Sequence, residues 1–562
     1  LGGKARGLGF AISMINNSNI KDQFKNITIR VPKCAVIGTD EFDRFMKDNE
    51  LWEFALSDID DILLEKRFLK SRLSIDLILK LESFIKENKY PIAVRSSSLL
   101  EDSQYQPLAG TYETYMLANN SRSDKNRLNK LINAIKRVYA STFKGEARTL
   151  LKGTAHRIEE EKMAVVIQEI VGKSYKSKRF YPTFSGVLQS INYYPISYMK
   201  RNEGVAYLAL GFGKTIADGE KSLRISPKYP KILPQFYSIK SALQNSQNTF
   251  YGMSLIKKDR KNKHELNSYS LKEAEIDDTL KWMGSVISKE DNTIKDSLNY
   301  KGIRIISFAP ILKWQHMPFT ELAKKMLSTG KKALGCPIEI EFAVNINANR
   351  KPEFCLLQIK PMVLTGLHKQ PEKKAYDENK IFCSSTVTLG DGKINHLKDL
   401  IIIRPELFDI NKTTEIAKEI SIFNNKFKKN HQYILAGPGR WGTSDKWLGI
   451  PVQWREISQA KTIIEIGLPE LSIDPSFGSH FFQNITNMHI AYFTVNPKQK
   501  KDILDIKYLK RFEIYKSGKY LDWYKFKNPF SVIVNGSNGQ GSIDFPISNK
   551  TETMNEEESS GI

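Results

Sequence analysis

The chain has 562 residues, a formal net charge of +23 at pH 7 and a hydrophobic content of 41%. This length predicts about three or four domains and excludes a small peptide-like module. No apolar run approaches the roughly 20 residues that cross a bilayer, so we predict no transmembrane segment and no membrane partner. Because the chain begins with Leu1 instead of Met, a test for a signal peptide at this end is weak.

The four cysteines lie far apart and lack the spacing of a zinc site or of a disulfide framework. This usage predicts a reducing, cytoplasmic compartment. The excess of positive charge would attract nucleic acid, but the lysines are spread along the whole chain together with many Ile and Asn residues. A compositional bias explains this distribution at least as well as binding does, so we expect no nucleic-acid partner.

Apolar runs bounded by turns alternate with amphipathic stretches, which predicts an α/β fold. The runs NITIRVPKCAVI, YPIAVRSS, KMAVVIQEIV, GVAYLALGFG and GIRIISFAPIL predict strands, as do DLIIIRP, QYILAGPG, AKTIIEIGL and HIAYFTVNP nearer the end. Helices are expected at 56–88, 127–143 and 271–288. The predicted organisation is a domain over 1–365, a lysine-rich linker over 366–380, an α/β domain over 381–545 and a disordered acidic tail over 546–562.

Two runs near residue 340 predict a hairpin with a polar face. In PIEIEFAVNI, Glu339 and Glu341 lie on one face and the apolar residues lie on the other. After a polar turn, EFCLLQIKPMV places Gln358 and Lys360 two positions apart on one face. Carboxylate and amide oxygens of this kind suit Mg²⁺, which completes its coordination with nucleotide phosphates. A solvent-exposed hairpin face with compensating charges is the alternative interpretation.

Three other stretches have features of phosphate sites. In PIAVRSSSLLEDS, Arg95 lies at the exit of an apolar strand and is followed by a run of hydroxyls. The opening GGKARGLGF places Lys4 at the start of a predicted helix, where anions are stabilised. GFGKTIADGE, residues 211–220, is a glycine-rich turn after an apolar strand. Taken alone, each stretch is equally typical of a strand end or a plain connection.

In this order, the stretches resemble the nucleotide-binding, ATP-grasp-type domain of pyruvate phosphate dikinase and phosphoenolpyruvate synthase. The resemblance covers about residues 1–365 and includes GGKARGLGF, VPKCAVIGTDEFDRFM, IAVRSSSLLEDS, LAGTYETYM, KRVYASTF, MAVVIQEIVG, FSGVLQ, GFGKTIADG, IEIEFAV and LLQIKPM. It implies an ATP-grasp-like fold with two or three subdomains, and ATP and Mg²⁺ as ligands.

The resemblance also implies roles for individual residues. Lys4 and Arg95 resemble the family's phosphate-binding residues, and Arg95 would act directly in phosphoryl transfer. Gly110 and Thr111 resemble the small-residue loop that closes over the phosphates. The hinge strand that meets adenine corresponds to the segment Gln168, Glu169, Ile170 and Val171. The resemblance implies Glu339, Glu341 and Gln358 as ligands of Mg²⁺, with Gln358 also contacting phosphate.

Two departures from the family pattern concern charge. The family's GLGE is GFGK here, so Lys214 stands where an acid is expected at the nucleotide site. The family's QARP is QIKP, so Lys360 stands where an Arg would bind phosphate through two hydrogen bonds, which Lys cannot reproduce. These changes weigh against catalysis more than against nucleotide binding.

The C-terminal part lacks the family's phosphohistidine turn and is too short to contain a pyruvate-binding barrel as well. The nearest analogue of that turn is DPSFGSHFFQN, where His480 follows a Gly-Ser pair at a predicted helix start. His480 there is either a phosphoryl acceptor or a structural residue. A second glycine-rich stretch, AGPGRWGTSDKW, presents Arg440 and Asp445 either in an exposed anion-binding loop or in a packed turn anchored by Trp441 and Trp447.

The sequence therefore predicts an ATP-dependent phosphotransferase of this family that transfers a phosphoryl group to a histidine or to a bound acceptor such as pyruvate or a partner protein. Complete synthase activity of this chain alone is not expected. The main alternative is an ATP-binding sensor in which Lys214 and Lys360 have disabled transfer. A basic nucleic-acid-binding scaffold is the weaker alternative, and a steep salt dependence of binding would favour it.

Overall fold

The computed structural model describes the ranges 1–98, 101, 110–152, 157–193, 195–196, 199–256, 266–288, 290–347, 350–362, 381–428, 431–445, 447–468, 480–496, 499, 501–536 and 538–546. The predicted linker over 366–380 lies outside these ranges, and so does the predicted tail except for its first residue. Within the described ranges, no helix is both long enough and apolar enough to cross a membrane.

Two compact units divide the chain. The first unit comprises Leu1–Leu364, Arg440–Ser458 and Asp474–Met488. The second comprises Thr365–Gly439, Gln459–Ile473 and His489–Ile562. These units differ from the predicted contiguous domain over 381–545, because the chain leaves the second unit twice and both excursions belong to the first. We call Arg440–Ser458 the first return and Asp474–Met488 the second return.

Five sheets form the strand framework described in the first unit. A six-stranded sheet has the order Thr28–Arg30, Arg350–Pro361, Ile338–Asn347, Phe184–Gln189, Val205–Leu210 and Leu223–Ile225. A four-stranded sheet has the order Cys34–Ile37, Met163–Glu169, Ile92–Ser98 and Thr114–Leu117. The others are formed by Leu266–Ser270, Thr249–Ser254, Arg179–Tyr181 and Lys173–Ser174, by Thr293–Lys295, Gly284–Ser288 and Ile303–Ile306, and by Arg440–Trp441 and Gly449–Ile450.

Helices cover these sheets with apolar faces. The described α-helices of the first unit are Gly3–Asn17, Ile20–Gln23, Thr39–Asp48, Trp52–Leu56, Asp61–Lys70, Ile75–Glu87, Asp124–Ser141, Gly145–Lys152, Lys214–Ala217, Ile239–Asn245, Leu271–Ile276, Ala309–Leu312, Phe319–Leu334 and His480–Asn487. Helix Asp124–Ser141 packs Leu131, Ile135 and Val138 into one core. A second core centres on the six-stranded sheet and includes Ile340 and Phe342.

The first helix lies between two sheets because two glycines allow close approach. A Cβ atom at Gly2 would lie 1.5 Å from the Ser97 carbonyl oxygen, and a Cβ atom at Gly7 would lie 2.7 Å from the Ile359 carbonyl oxygen. The Ala5 N–H also donates to the Ser97 hydroxyl at 3.0 Å. The GGKARG sequence therefore holds strand Ile92–Ser98 and strand Arg350–Pro361 near the same helix N-terminus.

The second unit contains a seven-stranded sheet with a parallel centre. Its order is Thr388–Leu389, Ala491–Val495, Ala460–Ile466, Tyr433–Pro438, Asp399–Ile403, Leu521–Lys525 and Lys516–Ser517. A five-stranded sheet consists of Asp391–Ile394, Ser531–Asn535, Gln540–Asp544, Ile381–Ser385 and Ile503–Leu504, and the described α-helices are Thr413–Asn424 and Ile506–Leu509. The returns follow the carboxyl ends of the parallel neighbours Tyr433–Pro438 and Ala460–Ile466.

The mixed α/β fold confirms the predicted fold class, and each predicted strand run contains an observed strand. The run NITIRVPKCAVI divides into Thr28–Arg30 and Cys34–Ile37, which belong to different sheets. The prediction of helix over 271–288 is wrong beyond Ile276, because Gly284–Ser288 is the buried central strand of a three-stranded sheet. Its small and apolar residues pack equally well in either type of element, and tertiary contacts decide between them.

Candidate functional site

A cavity of about 400 Å³ lies within the first unit. Its apolar lining includes Met116, Val171, Val187, Phe212, Phe342 and Leu357. Its polar lining includes Lys4, Arg95, Glu101, Gly110, Lys214, Glu339, Glu341, Gln358, Lys360 and His480. Small-molecule sites typically combine an apolar surface with a few convergent polar groups in this way.

The predicted hairpin forms and supplies paired polar residues to this cavity. Strands Ile338–Asn347 and Arg350–Pro361 are antiparallel, with Glu339 opposite Lys360 and Glu341 opposite Gln358. The Glu339 carboxylate lies 3.0 Å from the Lys360 ammonium and accepts a hydrogen bond from the Gln189 side chain at 2.7 Å. These strands therefore place two acids, an amide and a base on the face that lines the cavity.

Arg95 connects three elements at the polar end of the cavity. Its Nη1 donates to Gln168 Oε1 at 3.0 Å, and its Nη2 donates to Gln358 Oε1 at 2.6 Å. The same Nη2 lies 3.4 Å from Glu341 Oε2. Burial acts to raise the pKa of Glu341, but Arg95 and then Lys360 hold it below its usual value. Glu341 is therefore a carboxylate at neutral pH.

Lys4 contacts a residue that was absent from the predicted site. Its ammonium forms an ion pair with Glu101 and donates to the Ser96 hydroxyl at 3.3 Å. Glu101 is almost fully buried, and it also accepts from the Ser96 hydroxyl at 2.9 Å and from the Ser98 N–H at 3.2 Å. Lys4 and Arg95 thus both line the cavity, and each has an acidic partner in its wall.

His480 meets Gly110 in the cavity wall. A Cβ atom at Gly110 would lie 2.8 Å from both Cβ and Cγ of His480, and the Gly110 φ of +68° also favours glycine. His480 begins the helix His480–Asn487, and its Nδ1 is buried without a hydrogen-bond partner among the described residues. Burial, followed by the charge of Lys360, lowers the pKa of His480 below 6.5. The imidazole is therefore neutral at pH 7.

Three further buried polar atoms also have no partner within the described chain, two of them on the residues that follow Gly110 and one on Glu161, which lies beside Tyr112. They are Thr111 Oγ1, Tyr112 Oη and Glu161 Oε1. Burial raises the pKa of Glu161 to about 7. Ser98 and Tyr112 beside the carboxyl group act to lower this pKa, and the charge of Glu101 acts to raise it. Gly110, Thr111, Tyr112, Glu161 and His480 are called the Gly110 rim below; of these, Gly110, Tyr112 and His480 line the cavity itself.

The predicted hinge segment lies at the apolar side of the cavity, which Gln168, Glu169, Ile170 and Val171 all line. The Glu169 carboxylate is held by Arg30 at 2.8 and 3.0 Å. The Glu169 N–H donates to the Lys33 carbonyl oxygen at 2.8 Å, and the Ile170 N–H donates to the Pro91 carbonyl oxygen at 2.9 Å. The Glu169 side chain and these two N–H groups are thus engaged within the protein.

Lys214 lines the cavity next to its own counter-ion. Its ammonium forms an ion pair with Asp218 and lies 5.3 Å from the centre of the Tyr251 ring. The Tyr251 hydroxyl donates to Glu220 at 2.6 Å, and burial raises the pKa of Glu220. The base at position 214 therefore does not leave an uncompensated positive charge at the cavity.

The glycine-rich first return is a packed turn at its start. Trp441 is fully buried and Arg440 is 9% exposed, whereas Trp447 is 52% exposed. The Arg440 Nη1 donates to the Gly219 carbonyl oxygen at 3.3 Å. The interpretation of an exposed anion-binding loop is therefore wrong for Arg440, because its guanidinium is buried and bonded to the Gly219 carbonyl.

Comparisons with known proteins agree with this geometry. A family model described as "Pyruvate phosphate dikinase, AMP/ATP-binding domain" matches residues 1–380. The chain belongs to this family. The match includes every polar cavity residue named above except His480, which lies beyond the AMP/ATP-binding domain. The predicted family and its nucleotide-binding domain are thereby confirmed.

A relative is similar over a shorter region. The "Uncharacterized phosphotransferase YvkC" of Bacillus subtilis (strain 168) is 29% identical over 192 residues, which are 34% of this chain and 20% of that protein. The chain therefore spans a fifth of the length of this relative in the matched region. The similarity supports the family membership of the AMP/ATP-binding domain and leaves most of the relative without a counterpart in the match.

The structure brings together Lys4, Arg95, Gly110, Lys214, Glu339, Glu341, Gln358, Lys360 and His480, all of which line the cavity. Gln168, Glu169 and Val171 also line it, while Thr111 lies next to Gly110 with its hydroxyl buried. Leu108 and Ala109 of LAGT, and the Gly-Ser pair before His480, lie outside the described residues. The predicted site did not include Glu101, Tyr112 or Glu161. Glu101 could have been found as one of the two acids in the stretch SSSLLEDS. No pattern in the sequence marked Tyr112 or Glu161.

Proposed function

We propose that this chain is a phosphotransferase of the pyruvate phosphate dikinase type, which transfers a phosphoryl group from Mg·ATP to His480. The observation that carries the proposal is the presence of a neutral histidine without a hydrogen-bond partner in the wall of the family's nucleotide cavity. The printed name of the Bacillus subtilis relative, a phosphotransferase, is consistent with this reaction class.

The two ends of the cavity suit the two ends of ATP. We propose that adenine lies against Val171 and Phe212, with its polar edge near the carbonyl groups of Gln168 and Glu169. The phosphates would then lie towards Lys4 and Arg95, whose ammonium and guanidinium groups supply hydrogen bonds and positive charge. Phosphoryl transfer requires mainly such positioning and charge neutralisation, and Arg95 is the residue that we expect to contact the transferred group.

Gly110 and Thr111 are proposed to contact the phosphates directly. The buried Thr111 hydroxyl has no partner within the described chain, and Gly110 lines the cavity beside His480. An unpaired buried hydroxyl costs about 1–3 kcal/mol unless a bound group satisfies it. A phosphate oxygen that accepts a hydrogen bond from this hydroxyl would remove that cost when nucleotide binds.

The hairpin has the chemistry of a Mg²⁺ site. Glu341 is ionised and its side chain is 24% exposed towards the cavity, and Glu339 and Gln358 contribute further oxygen atoms on the same face. We propose that Glu341, Glu339 and Gln358 would hold Mg²⁺, which when bound neutralises phosphate charge. Lys360 would remain with Glu339 and contribute a positive point charge near the phosphates.

His480 is proposed as the nucleophile. Its uncharged imidazole offers a lone pair to the γ-phosphorus of ATP, and a nitrogen–phosphorus bond forms while the bond to the β,γ-bridging oxygen breaks. The electron pair of the broken bond leaves with ADP, and the proton of the other ring nitrogen is released to solvent. The protein then carries a phosphohistidine, whose phosphoryl group can be passed to a bound acceptor.

Single-turnover labelling with γ-³²P-ATP and Mg²⁺ tests this proposal. We expect acid-labile, base-stable label on the unmodified chain and none on His480→Asn, which should still be stabilised by Mg·ATP in thermal unfolding. The control is His489→Asn, since His489 is exposed and has φ +52°, a conformation that Asn tolerates. Equal labelling of His480→Asn and the unmodified chain would refute His480 as the acceptor.

A catalytically impaired ATP sensor is the second candidate. It is favoured by the pairing of both hairpin carboxylates, because Lys360 neutralises Glu339 and Arg95 lies beside Glu341. Such a site has less need for Mg²⁺ and would transfer slowly. Stabilisation by ATP without release of ADP or AMP, and without labelled protein, would favour the sensor over the transferase.

A further inference from the structure

The glycine-rich turn that follows strand Val205–Leu210 takes part in two sets of contacts. Phe212, Gly213, Lys214 and Ala217 line the nucleotide cavity. The next three residues, Asp218–Glu220, are called the Asp218 turn and contact the first return instead. A single short element thus touches both the cavity and a segment that is more than 200 residues away along the chain.

The contacts of the Asp218 turn are polar and centre on Ser444. The Ser444 N–H donates to the Asp218 carbonyl oxygen at 3.1 Å, and the Ser444 hydroxyl lies within hydrogen-bond distance of Glu220 at 3.1 Å and of the Asp218 carbonyl at 3.3 Å. The Gly219 carbonyl accepts from the Thr443 hydroxyl at 3.2 Å and from Arg440 at 3.3 Å. The contacts of the Gly219 carbonyl are buried, whereas Ser444 is exposed to solvent.

The same return contacts the residue that follows His480. A Cβ atom at Gly442 would lie 2.2 Å from the Phe481 ring, and the Trp454 ring stacks on Phe481 with centroids 4.4 Å apart. The next residue, Phe482, packs edge-on against Tyr193, with the two ring centroids 6.0 Å apart. The start of helix His480–Asn487 is therefore fixed by aromatic contacts, and the first return lies between this helix and the Asp218 turn.

We propose that Ser444 is a positioning residue, which couples the nucleotide-lining turn to His480 through the first return. This inference rests on the proposed function for its chemical readout. Contact of the nucleotide with Phe212, against which adenine is proposed to lie, fixes the turn. The Ser444 contacts transmit that position to the first return, and Gly442 and Trp454 transmit it to Phe481 and His480. Ser444 touches neither nucleotide nor His480, so its loss affects alignment and leaves the binding groups in place.

The first measurement compares the single-turnover labelling rate with the ATP dissociation constant. Ser444→Ala removes the hydroxyl contacts and keeps the backbone one. We expect the labelling rate to fall about tenfold, as befits a lost hydrogen bond to a charged group, while the dissociation constant stays within about twofold. Ser444→Thr keeps the hydroxyl and should restore the rate. The control is Ser328→Ala, an exposed serine whose hydroxyl bonds to the Lys325 carbonyl within its own helix.

A second measurement does not depend on transfer. Hydrogen exchange of the amides of 480–488 is followed with and without a non-hydrolysable ATP analogue and Mg²⁺. We expect the analogue to protect these amides in the unmodified chain and in Ser328→Ala, and to lose most of this effect in Ser444→Ala. Unchanged rate and unchanged protection in Ser444→Ala would overturn the coupling. A matched loss of rate and nucleotide affinity would also overturn it, since Ser444 would then support binding itself.

These readouts separate the two proposals. If analogue-dependent protection is lost in Ser444→Ala but the unmodified chain carries no phosphohistidine, the coupling stands and His480 as acceptor is refuted. If the unmodified chain is labelled and Ser444→Ala behaves like Ser328→Ala in both measurements, the transferase stands and the coupling is refuted. Failure of the unmodified chain to bind the analogue refutes both.

Discussion

The hairpin floor and the Gly110 rim of the cavity differ in how their polar groups are satisfied. In the hairpin floor, formed by Ile338–Pro361, Lys360 pairs with Glu339 and Arg95 contacts both Glu341 and Gln358. In the Gly110 rim, one polar atom each of Thr111, Tyr112, Glu161 and His480 is buried without a partner among the described residues. The charged groups of the hairpin floor therefore have partners in the absence of ligand, whereas these four polar atoms of the Gly110 rim have none among the described residues.

This difference separates preorganisation from ligand dependence. Paired charges hold their geometry without ligand, so a phosphate group meets donors that are already oriented. Unpaired buried polar atoms each cost about 1–3 kcal/mol, and they gain most when a ligand or a proton satisfies them. We therefore expect substitutions in the floor to disable the site, and substitutions in the rim to change its response to ligand and to pH.

Arg95→Ala should break the floor and have the largest effect. It removes the guanidinium from Gln168, Gln358 and Glu341, and it leaves the Glu341 carboxylate without its nearest cation. We expect the labelling rate to fall by about 100- to 1000-fold and the thermal stabilisation by Mg·ATP to disappear. Arg95→Lys should not restore activity, because an ammonium cannot reproduce the forked contacts.

The control for Arg95 is Arg72→Ala, because Arg72 is an exposed arginine of the same unit. It should retain both the rate and the ligand-induced thermal shift. Full activity of Arg95→Lys would contradict the importance that we assign to the guanidinium geometry, and full activity of Arg95→Ala would remove Arg95 from the site altogether.

Glu161→Gln should stabilise the protein at high pH. With its pKa raised to about 7, Glu161 stays protonated in the folded chain at pH values where the unfolded chain, with a pKa of 4.5, has ionised. The stability that this group contributes is therefore complete below about pH 4.5 and is lost as the pH rises to about 7. Glutamine stays neutral, so the free energy of unfolding should increase by up to about 3 kcal/mol at pH 8 and hardly change near pH 4.5.

Denaturant unfolding at the two pH values checks this prediction. Glu159→Gln is the matched control, since Glu159 is exposed two residues earlier. An equal effect of Glu161→Gln at both pH values would mean that Glu161 titrates normally. Glu161 would then no longer distinguish the Gly110 rim from the hairpin floor.

Gly110→Ala should affect the rim through backbone strain and through contact with His480. The Gly110 φ of +68° costs a non-glycine residue about 1–2 kcal/mol, and the new Cβ would lie 2.8 Å from His480. Gly335→Ala is the control, because its φ is +69° and nothing lies within 4 Å of the added atom. Both variants should lose stability through the positive φ, with Gly110→Ala losing more because of the overlap with His480, and only Gly110→Ala should slow labelling of His480. Equal labelling rates would show that the Gly110 contact does not set the position of His480.

Lys214→Glu should have the smallest effect. It restores the acid that the resemblance implies, but it replaces an ion pair with two acids four positions apart. Because the Lys214 side chain is 40% exposed, we expect a loss below about 1 kcal/mol in unfolding experiments and little change in ATP affinity. Lys214→Gln separates loss of the base from gain of the acid. A gain in the labelling rate above about tenfold for Lys214→Glu would indicate that Lys214 suppresses transfer, as the sensor hypothesis requires.

Sequence reasoning found the hairpin because its alternation of acids and apolar residues has only one arrangement with a buried face. It missed Glu101 as the partner of Lys4, because the ion pair joins a helix residue to a turn residue 97 positions away. It missed Glu161 and Tyr112 because an orphaned polar atom is a property of packing and leaves no pattern along the chain. For Lys214, the acid four residues later, Asp218, was visible in the sequence but was not used.

By itself, the sequence determined the α/β class, the family, the core strands and the residue types that line the polar end of the cavity. These features depend on local periodicity and on collinear motifs, which can be recognised in a single sequence. Only the tertiary structure decided that the glycine-rich and histidine-containing returns belong to the first unit. Their position depends on long-range contacts, such as Ser444 with the Asp218 turn and Phe482 with Tyr193, whose partners are separated by more than 200 residues.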